Sequence, residues 1–291
     1  MTGILRLSAL VFAAFALFFS EIAALAQFKS DVRLVEVYAS VFDQKGNHVD
    51  GLTRDQFHIL DEGAPQTMLS FEAETSDLTF AVLLDTTGSM QGALPSVKNA
   101  VSELLSQMRE GDSVGIFGFN SALVTLQDFT SDRAAARRAV LRTRAAGATA
   151  LFDAIAEVAR NIGSRKGKKA IVLFTDGDDN ASGLTAGAAI KRVLETGVPV
   201  YAVAEGEARQ SAQLRKQLKQ IAEQTGGFSY EAKSAGDIEK VFRDIQGELK
   251  HLYLLTYKPP DADQSKWRTI RVEIGGLSGY KVRGKQGYFP E

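Results

Sequence analysis

The chain has 291 residues, 45% hydrophobic and 24% charged, enough for one large globular unit or two small ones. A formal net charge of -1 leaves no basic excess to hold a phosphate backbone, which argues against nucleic acid as a partner. The absence of cysteine excludes a disulfide framework, thiolate metal ligands and a cysteine nucleophile, and leaves the compartment open.

Arg6 precedes an apolar stretch over 7–19, and Ala24-Leu25-Ala26 supplies a small-residue cleavage signature before Gln27. Residues 1–26 are therefore expected to be a signal peptide cut after Ala26, giving a secreted or periplasmic protein. The alternative is an uncleaved membrane anchor; the core is short for a full span and Glu21 interrupts its far flank.

Residues 27–76 form a first β module. The stretch 32–42 is rich in β-branched and aromatic residues, 43–47 is a turn in which Gly46 tolerates positive φ, and 57–61 and 67–73 are short strands split by a turn at 62–65. His48 and His58 have no partner at ligand spacing and read as packing or surface residues.

Residues 77–250 alternate strand and helix. Strands are expected over 78–85, 113–120, 169–176, 198–204 and 228–230, with 122–128 antiparallel at the sheet edge. Helices are expected over 94–109, 131–144, 149–162, 184–196, 210–224 and 237–250, the fifth stopped by Gly226-Gly227. The 131–144 helix carries Arg133, Arg137, Arg138 and Arg142 and ends at Arg144; it is either a surface for an anionic ligand or a solvated face, and charge runs are usually the second. Short links between alternating elements imply an α/β fold, a doubly wound, mostly parallel, Rossmann-like sheet. Residues 251–291 hold strands at 252–257, 268–274 and 280–289. Neither flank can bury a core alone, so the two are expected to pair into one β-sandwich-like module around the inserted α/β domain.

Asp85, Thr87 and Ser89 follow the strand 78–85 at i, i+2 and i+4. A carboxylate and two hydroxyls turning around one point make a hard-oxygen site suited to Mg²⁺ or Mn²⁺. A second buried strand ends in Asp176, and Thr149 opens a helical pattern; both belong at the carboxyl edge of a parallel sheet, where such folds bind ligands. The alternative is that Asp85 and Asp176 merely cap helices and the hydroxyls satisfy turn backbone. The run Asp176-x-Asp178-x-Asn180 looks like a calcium loop, but Ala181 replaces its glycine and Gly187 its final glutamate. Asp178 and Asp179 read as loop carboxylates near the site, able to tune partner choice, and 180–182 matches a glycosylation sequon.

The set Asp85, Thr87, Ser89, Thr149 and Asp176 resembles the metal-ion-dependent adhesion site (MIDAS) of the von Willebrand factor A domain, with Thr87 where serine is usual. The resemblance implies that Thr87 and Ser89 hold a divalent cation, Mg²⁺ or else Mn²⁺ or Ca²⁺, directly. Asp85, Thr149 and Asp176 would act directly or through water. It also implies a protein partner that supplies an Asp or Glu carboxylate. The flanking phrase built on Val41, Asp43, Gly46, Val49, Gly51, Leu52, Thr53, Asp55 and Phe57, with 252–260, 267–274 and 282–289, is similar to a VWFA-related domain family described from Acidobacteria. A binding or adhesion module is thus expected, not an enzyme. A metal-assisted hydrolase needs a general base beside the metal, and 77–250 contain no histidine. A third role is a conformational element of an envelope assembly, with the 237–250 helix moving against the tail strands.

Overall fold

The computed structural model describes residues 34–205, 211–260, 266–276 and 279–290. The signal-peptide reading of 1–26 lies outside them, as does the start of the first expected strand. Among the described residues no helix is long and apolar enough to cross a membrane.

β1 (Val35–Phe42) turns Val35, Val37, Ala39 and Val41 to one face by its two-residue period. In the following turn Asp43 Oδ1 accepts from Lys45 N (2.8 Å) and Asn47 N (2.9 Å), and Gly46 takes φ +85° as expected. β2 (Phe57–Asp61), β3 (Ala64–Gln66) and β4 (Met68–Glu72) follow. The expected turn at 62–65 narrows to Glu62 and Gly63, with φ of 51° and 81°, and β3 begins at Ala64. Two positive φ values at a two-residue turn match the twist of a tight hairpin. Pro65 fits because β3 lies at a sheet edge.

The central region runs β5 (Leu78–Asp85), α1 (Leu94–Ser106), β6 (Ser113–Phe119), β7 (Leu123–Thr130), α2 (Arg133–Arg142) and α3 (Leu151–Gly163). It continues β8 (Lys168–Thr175), α4 (Ala186–Thr196), β9 (Val200–Ala204), α5 (Ala212–Thr225), β10 (Ser229–Glu231) and α6 (Ala235–Lys250). The strands form one sheet in the order β10-β9-β8-β5-β6-β7, parallel throughout except for the β6/β7 pair. β5 and β8 are buried almost end to end because both faces are covered. Val97, Leu104, Val140, Phe242 and Ile245 pack α1, α2 and α6 on one face. Ile155, Ile162, Val193, Leu218 and Ile221 pack α3, α4 and α5 on the other. The doubly wound expectation holds, with helix ends within three residues of the expected limits. α5 stops at Gly226, whose φ of +91° is left-handed, and a Cβ on Gly227 would lie 2.1 Å from Val200 O.

The tail forms β11 (Tyr253–Tyr257), β12 (Arg268–Ile274), β13 (Lys281–Gly284) and β14 (Gly287–Tyr288). Two four-stranded antiparallel sheets result, β13-β1-β11-β4 and β14-β12-β2-β3, each mixing strands from both flanks. The expected single strand over 280–289 breaks at Lys285-Gln286, so β13 pairs with β1 and β14 with β12. The two sheets share one core, in which Val37, Val41, Leu255 and Tyr253 meet Phe57, Ile59, Ile270 and Val272.

The outer face of the β1 sheet sits on the starting edge of β8. Lys168 Nζ donates to Ala73 O (3.0 Å), Glu74 O (2.8 Å) and Leu252 O (3.3 Å), and so ties both chain crossings. Lys169 Nζ pairs with Glu36 Oε1 at 2.9 Å, and Lys169 N donates to the buried Tyr38 hydroxyl at 3.2 Å. Buried Glu248 of α6 accepts from Arg283 of β13. Beside it His48 stacks on His251 (ring centroids 4.5 Å), whose Nδ1 meets Asp50 Oδ1 at 2.5 Å. Burial lowers the His48 pKa, the His251 and Arg283 charges lower it further, and Asp50 opposes them. A depressed folded pKa means that the unfolded chain takes up the proton first, so stability falls as pH drops below about 6.5. His48→Gln should flatten this dependence in denaturant titrations from pH 7 to 5; an unchanged slope would remove His48 as its source.

Candidate metal centre

β5 and β8 are neighbours in register, Leu84 opposite Phe174, so both strands end together on the edge away from the β module. Asp85 closes β5 and is fully buried. Its Oδ1 accepts from Thr87 N (2.9 Å) and its Oδ2 from Thr175 Oγ1 (2.8 Å). These bonds fix the turn that presents Thr87 and Ser89. Thr87 Oγ1 lies 3.0 Å from Ser89 Oγ, which donates to Asp176 Oδ1 at 2.9 Å. Thr149, just ahead of α3, comes to the same point. A Cβ on Gly177 would lie 3.8 Å from Thr149 Oγ1 and 3.9 Å from Ser89 Oγ. The structure therefore brings Thr87, Ser89, Thr149 and Asp176 around Gly177, with Asp85 behind them. Thr87, Thr149 and Asp176 are buried, while Ser89 and Gly88 face solvent.

The simpler capping reading does not describe this geometry. α1 begins at Ala93 without a side-chain cap, and Thr185 caps α4. Asp85 holds the Thr87 turn, and Asp176 holds Ser89.

Burial pushes the Asp176 carboxyl up to about 6, against the Ser89 hydrogen bond, and the Asp85 charge pushes the same way. Burial also raises Asp85. Two carboxylates deprived of water on one edge are a natural place for a counter-cation. Among the described residues no three His, Asp or Glu converge, so a cation here relies on hydroxyl oxygen as well. The chemistry fits a hard divalent ion: two carboxylates, three hydroxyls, no nitrogen or sulfur.

Sequence reasoning missed the residues that hold this set in place. Asn180 Oδ1 accepts from Thr149 N (2.9 Å), and Thr149 O accepts from Asn180 N (2.9 Å) and Ala181 N (3.0 Å). Asp179 Oδ2 accepts from Phe152 N (3.0 Å) and from Ser182 Oγ (2.5 Å), at the start of α3. Asp153 in turn accepts from Gly183 N (2.8 Å) and Leu184 N (2.9 Å). Asp179, expected as a loop carboxylate near the site, clasps the loop to α3, and of the two acids Asp178 is the exposed one. The sequence signal was a short polar side chain, Asn180, beside the Asp176 strand end, but its target lies 31 residues away. Asn180→Ala should weaken metal binding about tenfold by loosening Thr149, with the fold retained. Calorimetric Mg²⁺ titration checks this, and parental affinity would remove Asn180 from the site.

The sequence model of the von Willebrand factor type A domain matches residues 78–244. The structure is similar to the von Willebrand factor type A protein of Catenulispora acidiphila, at 14% identity and a TM-score of 0.53, over 88% of this chain and 73% of that one. It is also similar to proximal thread matrix protein 1 from the mussel byssus with a zinc-occupied MIDAS motif, at 15% identity and a TM-score of 0.54. That match covers 65% of this chain and 49% of the mussel protein, about half its length. No curated protein matches the chain by sequence.

Proposed function

The chain belongs to the von Willebrand factor type A domain family, and from that premise we propose that it is a metal-dependent protein-binding module. One observation carries the reading: Thr87, Ser89, Thr149 and Asp176 converge around Gly177, and Asp85 fixes the turn behind them. These residues would hold Mg²⁺, or Mn²⁺ or Ca²⁺ in its place. The zinc in the mussel protein's motif lends support to a divalent ion. When bound, the ion supplies a Lewis-acidic position for a hard anionic oxygen. Hydroxyls bring no charge, so within this set Asp85 and Asp176 alone neutralise it, and a partner's Asp or Glu carboxylate completes the balance.

The chain's own residues set the terms of docking. Asp85 and Thr175 hold the turn that brings Thr87 and Ser89 together, and Asn180 ties down the backbone of Thr149 beside them. The rim is small: Gly88, Ser89, Gly92, Ala146, Gly147 and Ala148 are exposed or nearly so, which admits a protruding carboxylate. Catalysis has no such support, since no histidine lies in 77–250 to serve as base. On this reading 1–26 is removed after Ala26 and the protein works outside the cytoplasm, touching a membrane only if that segment stays. Residues 27–76 and 251–291 then form one β module around 77–250.

The test is capture from an envelope extract with residues 27–291 as bait, in Mg²⁺, in EDTA, and with Asp85→Asn in Mg²⁺. Proteins retained in the first condition alone are expected. The same proteins in all three would overturn a metal-gated contact.

A further inference from the structure

Among the described α-helices, α2 alone carries charges of a single sign, four arginines and no acidic residue. On α3, α4 and α5 an acidic residue on the same helix pairs with a cation one turn away: Arg160 with Glu157, Lys191 with Glu195, Lys219 with Glu223. On α2, Ala136 and Val140 face the core, while Arg133, Arg137, Arg138 and Arg142 are exposed, as is Arg144 beyond its end. Asp132 is the one acidic residue between 129 and 152. Its Oδ1 caps the helix at Ala134 N (2.8 Å) and Ala135 N (2.9 Å), and its Oδ2 lies 3.9 Å from Arg138. Among the described residues, Arg133, Arg137, Arg142 and Arg144 make no ion pair.

This face works against the helix that carries it. Arg133 and Arg137, and Arg138 and Arg142, are like charges four residues apart, each pair destabilising. Arg133 also sits at the positive end of the helix dipole. A face needed only for solubility can mix signs, as α6 does with Asp237, Glu239, Lys240, Arg243 and Asp244. Leu141, 50% exposed, lies among the arginines and adds an apolar contact. The stripe also has a direction. α2 is ten residues long, about 14 Å from first to last, and it runs toward the metal edge. Lys98 Nζ closes its end on Leu141 O (3.0 Å) and Thr143 O (2.6 Å). Two residues past Arg144, Ala146 N donates to Thr86 O (2.7 Å), and Gly88 N donates to Gly147 O (3.4 Å). The arginines therefore lead to the loop that holds Thr87 and Ser89.

We propose that the arginine face of α2, continued by Arg144, is a second contact for the partner of the metal site and docks an acidic, Asp/Glu-rich protein segment. The inference rests on the metal-dependent reading above. Guanidinium forks bind carboxylates in pairs, so one carboxylate-rich chain serves both contacts with the same chemistry.

The probe is a fluorescein-labelled poly-L-glutamate oligomer, titrated with the parent in Mg²⁺ and read by anisotropy at several salt concentrations. Arg137→Glu with Arg142→Glu should weaken binding on the order of tenfold and flatten its salt dependence. Arg137→Gln with Arg142→Gln should fall between that variant and the parent. Lys191→Glu with Lys219→Glu makes the same change in net charge elsewhere and should leave binding as in the parent. Circular dichroism confirms that each variant is folded. Parental affinity in the Arg137→Glu, Arg142→Glu variant overturns the inference, and if EDTA still abolishes binding the metal reading survives it. The reverse pattern, binding lost in that variant and untouched by EDTA, supports the arginine face and overturns the metal reading. Tighter, Mg²⁺-independent binding to phosphatidylserine vesicles or duplex DNA than to polyglutamate would overturn the acidic-protein assignment.

Discussion

Asp61→Ala is expected to destabilise the chain by about 3–5 kcal/mol, the range for stranding the partners of a buried ion pair. Asp61 is fully buried where the two antiparallel sheets meet. Its Oδ2 accepts from Tyr257 and Tyr288 hydroxyls, each at 2.8 Å, and its Oδ1 from Arg268 Nε at 2.8 Å. The three donors come from β11, β14 and β12, so one carboxylate ties strands of both sheets together. Burial and the Asp61 bond push the Tyr288 hydroxyl up to about 12, so it remains a donor at any working pH. Alanine leaves two buried hydroxyls and a guanidinium without an acceptor, each an unsatisfied group with its own penalty. Asp61→Asn should fall between the two, since its amide oxygen accepts while its charge is gone. Urea titration of the three proteins measures the difference. A loss below about 1 kcal/mol for alanine would show that water replaces the carboxylate, and the centre would not hold the sheets together.

Asp85→Asn is expected to weaken Mg²⁺ binding by about 100-fold while the fold persists. The substitution keeps the shape and an acceptor for Thr87 N or Thr175 Oγ1, and removes one of the two charges that face a cation. Burial already raises the Asp85 pKa, so its ionised form is held at a cost in the absence of metal. The variant should therefore unfold without metal at the parental temperature or above it. The parent should gain stability as Mg²⁺ is added and the variant should not, because only a ligand bound to the folded state shifts its melting. Asp85→Ala should lose binding and stability together, since it also leaves the Thr87 amide without its acceptor and the Thr175 hydroxyl with only the longer bond to Gly177 O at 3.3 Å. Thermal unfolding across a Mg²⁺ series separates the cases. Parental Mg²⁺ stabilisation in Asp85→Asn would remove Asp85 from the site.

Much of this was legible in the residues because it is local. Apolar runs on both faces of the strands expected at 78–85 and 169–176 require cover on both sides, which a doubly wound sheet supplies. Apolar spacing of 3.6 residues placed the helices, and Gly226 ended the fifth because a left-handed residue terminates a helix. Asp85, Thr87 and Ser89 fall within five residues, so the turn alone brings their oxygens together.

Tertiary structure decided what depends on distant partners. The break at Lys285-Gln286, the assignment of β13 and β14 to different sheets, and the two chain crossings held by Lys168 follow from packing that no single segment encodes. The role of Asp179 was invisible for the same reason: an exposed-looking loop carboxylate is identical in sequence to one that caps a helix 27 residues earlier. The arginines of α2 were plain in the sequence, but a solvated face and a docking face differ only in what lies beside them. A chain's local periodicity fixes which elements form and which faces they bury. Which buried hydrogen bonds close, and which charges remain unpaired, is set only when segments far apart in sequence compete for the same donors and acceptors.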